Sequence, residues 1–373
     1  MNQQTKTLLI FSYDFPPSTG GIARLCHEIV THMQAFYKKV HVLTIQKEGQ
    51  AIPYQENPKV DITYLPKQRL KAEMKALNFL RNWSNKENTD LLCGIWHPEA
   101  TLAIIAGMPN ISVLAHGTEL LAGNSKFRKY LWHPIYAKWV FGKVKRVIAN
   151  SHYTQNLVKK INSKSKTVAL PLGVNPDFFK PIGENTETEK LKICTVSRIL
   201  KFKGHDFILE TLENLPSDYR SLIEWHIAGT GPYLDNLKIL ATKSKISKQV
   251  YFHGFVSDKD LALFYNKHDI FILATREEEL SNQVEGFGLV FLEAQACGVP
   301  VVGTNTGGIP DAIDHENGGW LIDQDDKADL TNLIKSLIDN PSKIEKQSLL
   351  ARKRVMDKAT WETYTNKLKT MLS

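Results

Sequence analysis

The segment EGFGLVFLEAQACGVPVV, residues 285–302, carries two carboxylates eight positions apart in a run that is otherwise small and apolar. Glu285 stands beside a Gly-Phe-Gly turn, and Glu293 lies in a stretch with the composition of a buried helix. A carboxylate taken out of water is costly unless a partner offsets the loss. The spacing predicts a helix that begins near Phe287 and Gly288 and stops at Gly298, with Pro300 beyond it. Its unpaired first-turn N–H groups make an anion site, and the glycines let a ligand approach the backbone. Glu293 falls about one and a half turns in, roughly 7–8 Å along the axis. That separation suits a nucleoside diphosphate, with phosphates at the helix start and ribose hydroxyls on Glu293. Glu285 would then reach a group attached beyond the phosphates. On spacing alone two plainer readings stay open: Glu293 as a solvent-facing helix carboxylate, and Glu285 as a capping acid.

Two further segments add charge and approach. TVSRILKFKGHD places Arg198 and Lys203 just after a strand, where both can meet a diphosphate or simply form a solvated basic loop. IAGTGPYLDNL reads as strand, glycine turn and helix start, a place where a ligand nears the backbone.

The elements that position these residues follow from periodicity. TLLIFSY, KVHVLTI, ISVLAHG and RVIANS read as buried parallel strands in the first half, with RLCHEIVTHMQAF and LAIIAG as helices between them. KICTVSR, WHIAGTG, VYFHGFV, IFILAT and VPVVGT are the strands of the second half, alternating with helical runs. Such alternation predicts two doubly wound α/β domains, 1–180 and 181–360, joined by a polar linker near Lys180 to Lys190. Ligands of these sheets sit at the carboxyl ends of the strands, and a cleft between the domains is the expected site.

Composition limits the class. With 42% hydrophobic and 23% charged residues over 373 positions, the chain is globular. No apolar run approaches the roughly 20 residues of a membrane span. MNQQTKTLLIFSYDFPP reads as a first strand rather than a secretory leader. The four cysteines contain no CxxC pair and read as reduced, buried thiols of a cytoplasmic protein, with neither a metal site nor a disulfide frame. Residues 1–180 carry 24 Lys and Arg against 11 Asp and Glu, and from Leu120 to Pro176 there is no acid at all. An anionic partner is therefore expected for the first half only.

Taken in order, these segments resemble a known family. Arg198 with Lys203-Gly204, Ala228-Gly229-Thr230-Gly231-Pro232, His253-Gly254-Phe255-Val256, Glu285-Gly286-Phe287-Gly288 with Glu293-Ala294, and Gly307-Gly308-Ile309-Pro310 have the order and spacing of family 4 retaining glycosyltransferases. Phe15 to Gly21, Ala115-His116-Gly117, Ala149-Asn150-Ser151 and Leu172-Gly173-Val174-Asn175 agree in the first half. The likeness is nearest to bacterial phosphatidylinositol- and polysaccharide-type mannosyltransferases. One departure is Asp311, where the family usually carries glutamate.

The resemblance implies a GT-B fold, two Rossmann-like domains facing across a cleft, with a last helix of about 361–373 packed back on the first domain. It implies a retaining hexosyltransferase that uses a nucleotide-diphosphate sugar, GDP-mannose or a UDP-sugar, in bacterial polysaccharide or glycolipid synthesis. Arg198 and Lys203 would hold the donor diphosphate, and the backbone of Phe287, Gly288, Leu289 and Val290 would complete the cradle. Glu293 would bind the ribose, Glu285 the transferred sugar, and the Val256 backbone the base. Gly20 and Gly21 would let the first domain close against the donor phosphates, and His116 would stand near the transferred sugar and the reaction centre. No metal or other cofactor is implied. Asp323-Gln324-Asp325 has the pattern of a metal-binding DxD but reads as a solvated loop away from the cradle. The leaving phosphate would take the acceptor's proton in a front-face attack, so no enzymatic nucleophile is assigned.

On the acceptor side, Lys126 to Arg146 carries seven Lys or Arg, six aromatics and no acid, and Pro66 to Lys86 is a second basic stretch. Both suit an anionic leaflet at the inner face of the plasma membrane and a glycan or lipid-linked acceptor. The plainer reading is an ordinary helix with its aromatics turned inward. No nucleic-acid motif accompanies the charge. The rivals are an epimerase or phosphorylase of the same fold, and a nucleotide-sugar-binding subunit that has lost catalysis.

Overall fold

The computed structural model describes residues 3–18, 20–45, 57–183, 189–278 and 283–372. The chain divides into two compact units, Met1–Pro171 with Trp361–Ser373, and Leu172–Thr360.

The first unit is built on β1 (Thr7–Phe11), β2 (Lys39–Ile45), β3 (Val60–Leu65), β4 (Thr89–Cys93), β5 (Ile111–Ala115), β6 (Arg146–Ala149) and β7 (Thr167–Ala169). They form one parallel sheet in the order β3-β2-β1-β4-β5-β6-β7. Parallel strands buried on both faces read as continuous apolar runs. Leu8 to Phe11 and Ile111 to Ala115 accordingly have almost no exposure. The chain order reverses between β1 and β4, so this sheet's switch point lies beyond their carboxyl ends.

The second unit holds β8 (Leu191–Val196), β9 (Ile223–Ala228), β10 (Val250–Gly254), β11 (Ile270–Leu273), β12 (Val301–Thr304) and β13 (Gly319–Ile322), in the parallel order β10-β9-β8-β11-β12-β13. Its switch point lies between β8 and β11. The helix Leu289–Ala296 runs between β11 and β12, and Phe291, Leu292, Ala294 and Ala296 are buried along it.

The division falls at Pro171 and Leu172, about nine residues before the boundary expected from composition. The reason is local packing. The Val174 N–H donates to the Ala359 carbonyl, and Phe179 is fully buried beside Tyr265. The Arg352 guanidinium donates to the carbonyls of Pro176 and Phe179. A Pro- and Gly-rich stretch that looks like linker is thereby part of the second unit.

The last helix, Trp361–Leu372, belongs to the first unit. It packs on the helix Gly21–Met33, with Trp361, Tyr364, Leu368 and Leu372 buried. Lys145 Nζ donates to the Leu372 carbonyl, and Arg146 donates to that of Met371.

Candidate functional site

In the second unit, the loops after β8 and β11 meet. A short turn, Lys201–Lys203, follows β8 and ends at Gly204 with φ +74°. A Cβ at Gly204 would run into the Ala274 carbonyl, so only glycine lets these two loops touch. Lys203 leaves this turn and forms an ion pair with Glu285, the two side chains being 13% and 17% exposed. The Glu285 backbone is fixed from the other side. Its carbonyl accepts from the Gly308 N–H at 2.8 Å, and a Cβ at Gly307, where φ is +55°, would stand 2.5 Å from that same oxygen. The Gly307-Gly308 turn therefore sets where Glu285 points.

The helix after Glu285 starts at Leu289, one residue later than expected, because Gly288 is left-handed and serves as its N-cap. Phe287 and Gly288 are buried, while Leu289 and Val290 are half-buried at the helix start. Glu293 is 3% exposed and accepts a hydrogen bond from the Tyr265 hydroxyl at 3.1 Å. Burial and the neighbouring Glu293 raise the Tyr265 phenol well above its ordinary value, so it stays a donor. The solvent-facing reading of Glu293 is thus wrong.

Arg198 is exposed just beyond β8. His205, wholly buried beside this turn, faces Ser197 Oγ at 3.2 Å, and its Nδ1 has no partner among the described residues. Burial, then the charge of Lys203, lowers its pKa to about 4, so the imidazole is neutral. Val256 follows β10 and is half-buried. The Gly254 carbonyl two residues before it accepts from the Gly229 N–H at 2.6 Å.

In the first unit, Gly20 and Gly21 are exposed at the start of the helix Gly21–Met33, with open space around both Cα atoms. Thr19 of the same loop lies outside the described residues. His116 follows β5, and its Nε2 lies 2.7 Å from the Gly94 carbonyl. A carbonyl only accepts, so Nε2 carries the proton and Nδ1 is the acceptor nitrogen. The His116 N–H donates to Glu119, and its carbonyl accepts from Asn150, which fixes the loop.

A sequence model described as Glycosyltransferase Family 4 matches residues 19–178, and one described as Glycosyl transferases group 1 matches residues 178–354. The chain belongs to the family 4 glycosyltransferases. It is similar to the GDP-mannose-dependent α-(1-6)-phosphatidylinositol monomannoside mannosyltransferase of Mycobacterium tuberculosis, 25% identical over 391 residues, covering 97% of this chain and 96% of that protein. A GDP-mannose-dependent monoacylated α-(1-6)-phosphatidylinositol monomannoside mannosyltransferase from Corynebacterium glutamicum is 24% identical over 388 residues, covering 100% of this chain and 99% of its own. Among solved structures, Anabaena HepE in complex with UDP and glucose superposes with a TM-score of 0.75 at 17% identity over 99% of both chains. Sucrose-phosphate synthase from Thermosynechococcus elongatus gives 0.77 at 17% identity over 98% of both. The two parallel-sheet units have the GT-B fold.

For this family 4 chain the structure brings Lys203, Glu285, Gly307 and the helix start together, and places Glu293 further along that helix. Asp323, Gln324 and Asp325 are exposed, as the solvated-loop reading expects, but one arginine ties Asp325 to the turn that carries Lys203. Arg276, just after β11, donates from Nε to Asp325 Oδ1 at 2.7 Å and from NH1 to both Asp206 oxygens at 2.7 and 3.0 Å. Its backbone N–H donates to the carbonyl of Phe202, the residue before Lys203. Asp325 is therefore engaged by an arginine that braces the Lys203 turn. Reading the sequence missed Arg276, although a basic residue directly after a strand was a signal of the same kind as Arg198.

Proposed function

We propose that this glycosyltransferase moves a hexose from a nucleotide-diphosphate sugar to a glycan or lipid-linked acceptor, with retention of configuration and without a metal. The observation that carries the reading is the Lys203–Glu285 pair at the second sheet's switch point, beside the helix start at Leu289. GDP-mannose is the first choice of donor, supported by the activities named for the two full-length relatives, with UDP-sugars next.

The arrangement suggests an exchange of partners. An arriving diphosphate brings the negative charge that Lys203 now finds in Glu285. Lys203 passes to the phosphates, together with exposed Arg198 and the N–H groups of Leu289 and Val290. Glu285 is released to accept hydrogen bonds from the transferred sugar's hydroxyls. Donors aimed at the departing diphosphate stabilise charge that grows in the transition state. Glu293 and the Val256 backbone would take ribose and base. The His116 Nδ1 is suited to accept from a sugar hydroxyl. Engagement of Asp325 by Arg276 supports a metal-free mechanism, since that carboxylate already has a cation of the chain as its partner.

Peripheral contact with an anionic membrane, on its cytoplasmic side, belongs to the same proposal. Among the described residues no helix is long and apolar enough to cross a bilayer. Phe127, Tyr130, Leu131, Ile135 and Trp139 are nonetheless exposed, Tyr130 at 69%, amid Lys126, Arg128, Lys129 and Lys138. Phe141 turns inward. The segment thus divides between the two readings of its aromatics.

The test is thermal-shift titration with GDP, UDP and their sugars, followed by transfer assays with and without EDTA. A ligand that binds only the native state raises the melting temperature. GDP should stabilise more than UDP, and transfer should survive EDTA. Absence of any nucleoside-diphosphate shift would overturn the donor assignment, and activity abolished by EDTA and restored by Mg²⁺ would overturn the metal-free step.

A further inference from the structure

The loop from Ser197 to His205 carries both side-chain cations assigned to the diphosphate, and its two ends are tied together. Ser197 and Arg198 follow β8, and the turn Lys201–Lys203 and Gly204 then lead into the helix His205–Glu213. His205 and Ser197, eight residues apart, meet at 3.2 Å between Nε2 and Oγ.

The direction of this contact is fixed. Ser197 Oγ also lies 3.3 Å from the Arg198 carbonyl oxygen, which can only accept, so the hydroxyl donates its one proton there. Oγ must then accept from the His205 Nε2–H, which leaves Nδ1 as the bare nitrogen. That agrees with the neutral imidazole, and Nδ1 is the ring atom with no partner among the described residues. His205 thus donates to Ser197, and Ser197 to the backbone of Arg198.

The same backbone is held from the side of β9. The Ser197 N–H donates to the Ala228 carbonyl at 3.1 Å, and the Ile199 N–H to that of Thr230 at 2.9 Å. A Cβ at Gly229 would stand 1.9 Å from the Ser197 carbonyl oxygen, so the glycine turn after β9 lies directly against this loop. These contacts fix where the exposed Arg198 side chain starts. At the other end of the loop, the Arg276 N–H holds the Phe202 carbonyl at 2.6 Å beside Lys203.

A buried histidine is a costly way to fill space. His205 has 0% exposure and keeps one ring nitrogen desolvated and unpaired among the described residues, a penalty that an apolar side chain would avoid. Phe207, Ile208 and Leu209 on the same helix are such side chains. The hydrogen bond to Ser197 is what they could not supply.

We propose that the His205–Ser197 contact is a clasp that closes this loop and sets the separation of Arg198 from Lys203, so that the site prefers a nucleoside diphosphate to a monophosphate. Both are positioning residues. His205 is buried away from any ligand, the Ser197 hydroxyl is engaged by the Arg198 carbonyl, and each acts through Arg198. The inference rests on the donor assignment proposed above and adds to it the residues that decide how many phosphates are recognised. A diphosphate can engage both cations, whereas a monophosphate offers a single phosphate. With the clasp open, Arg198 shifts and the second phosphate loses a charged donor, while contacts to base and ribose are unaltered.

The experiment uses the full chain and measures the affinities of GDP, GMP, UDP and UMP by calorimetry. Wild type should bind its preferred diphosphate more tightly than the matching monophosphate. Ser197→Ala and His205→Leu should lower that ratio about tenfold, the scale of one hydrogen bond to a charged group. Ser197→Thr and His205→Gln keep groups able to make the contact and should preserve the ratio. In transfer assays Ser197→Ala should raise the donor KM and lower kcat, since Arg198 also faces the charge that grows on the departing diphosphate. On an Arg198→Ala background, Ser197→Ala should change the ratio no further. A role confined to stability would lower the melting temperature and leave the ratio of the folded protein untouched. That outcome would overturn the clasp, as would a wild type that binds diphosphate and monophosphate equally, or a further fall on the Arg198→Ala background. Ser197 is half-buried, so Ser197→Ala decides the matter even if His205→Leu does not fold. Absence of any nucleoside-diphosphate binding by wild type would instead defeat the donor assignment, and the clasp with it.

Discussion

Lys203 and Glu285, 82 residues apart in the chain, meet as an ion pair at the carboxyl edge of the second sheet. If the donor diphosphate replaces Glu285 as the partner of Lys203, the two residues respond differently to mutation. Lys203→Ala should fold and lose two to three orders of magnitude in turnover, about the effect of removing one transition-state donor. Glu285→Gln removes the competitor for Lys203. It should bind the bare nucleoside diphosphate at least as tightly as wild type while turnover falls steeply. Calorimetric titration with GDP and UDP decides this, and weaker binding by Glu285→Gln would contradict the exchange.

Gly307 has no room for a side chain, because its Cβ would sit 2.5 Å from the Glu285 carbonyl oxygen at a φ of +55°. Gly307→Ala must therefore push Glu285 or strain the turn. A loss of roughly 1–3 kcal/mol in stability is expected, with turnover reduced more than donor affinity. Unchanged turnover in a folded variant would mean that the turn does not set the carboxylate.

Much of this arrangement was legible in the chain, and the parts that were not have physical causes. Runs such as TLLIF and IFIL are continuous because their strands are buried on both faces. The strand TDLLC escaped notice because Asp90 interrupts it. That carboxylate is buried at the strand, paired with Lys6 at 3.1 Å and accepting from the Tyr37 hydroxyl at 3.0 Å, partners 84 and 53 residues away. VDITYL was missed because this edge strand keeps polar residues half-exposed. Glu285 and Glu293 stood out as misplaced carboxylates, but their partners did not. Lys203 was expected on a phosphate rather than on Glu285, and Tyr265 lies on the separate helix Asp258–Asn266. Local pattern marks which residues need a partner; only the fold supplies it.

Arg276 joins Asp206, Asp325 and the Phe202 carbonyl, and so braces the turn that carries Lys203. Arg276→Ala should lower turnover about tenfold or more with a smaller effect on melting temperature. A double-mutant cycle separates bracing from a general structural role. If Arg276 acts through Lys203, the double variant should be no slower than Lys203→Ala alone. Multiplicative losses would show that the two act independently.

His205 gives the folded state a definite acid limit. Its folded pKa is about 4, below the ordinary 6.5, because burial and Lys203 oppose the imidazolium. The unfolded chain therefore binds this proton first. The contribution to stability is complete above pH 6.5 and is lost progressively as pH falls from 6.5 toward 4. Urea unfolding at pH 7.5, 6 and 5 should show this decline, with a shallower slope in His205→Asn. Parallel slopes for the two proteins would rule His205 out as the group responsible.

The last prediction concerns the membrane. Exposed Phe127, Tyr130, Leu131, Ile135 and Trp139 lie among Lys126, Arg128, Lys129 and Lys138, in a stretch without a single acid from Leu120 to Pro176. Each basic residue near an anionic leaflet contributes about 1 kcal/mol, screened within a Debye length, and exposed rings add burial at the headgroup level. Several acting together give reversible, salt-sensitive binding. The protein should cosediment with phosphatidylserine-containing vesicles at low salt, release at high salt, and ignore phosphatidylcholine vesicles. Lys126→Glu, Arg128→Glu and Lys129→Glu combined should weaken the binding without changing GDP affinity, because the proposed diphosphate ligands belong to the other unit. Tyr130→Ser with Trp139→Ser should weaken it too, but leave its salt dependence intact, since rings contribute burial and not charge. If wild type fails to bind anionic vesicles at low salt, the patch is not a membrane surface and a soluble glycan becomes the better acceptor.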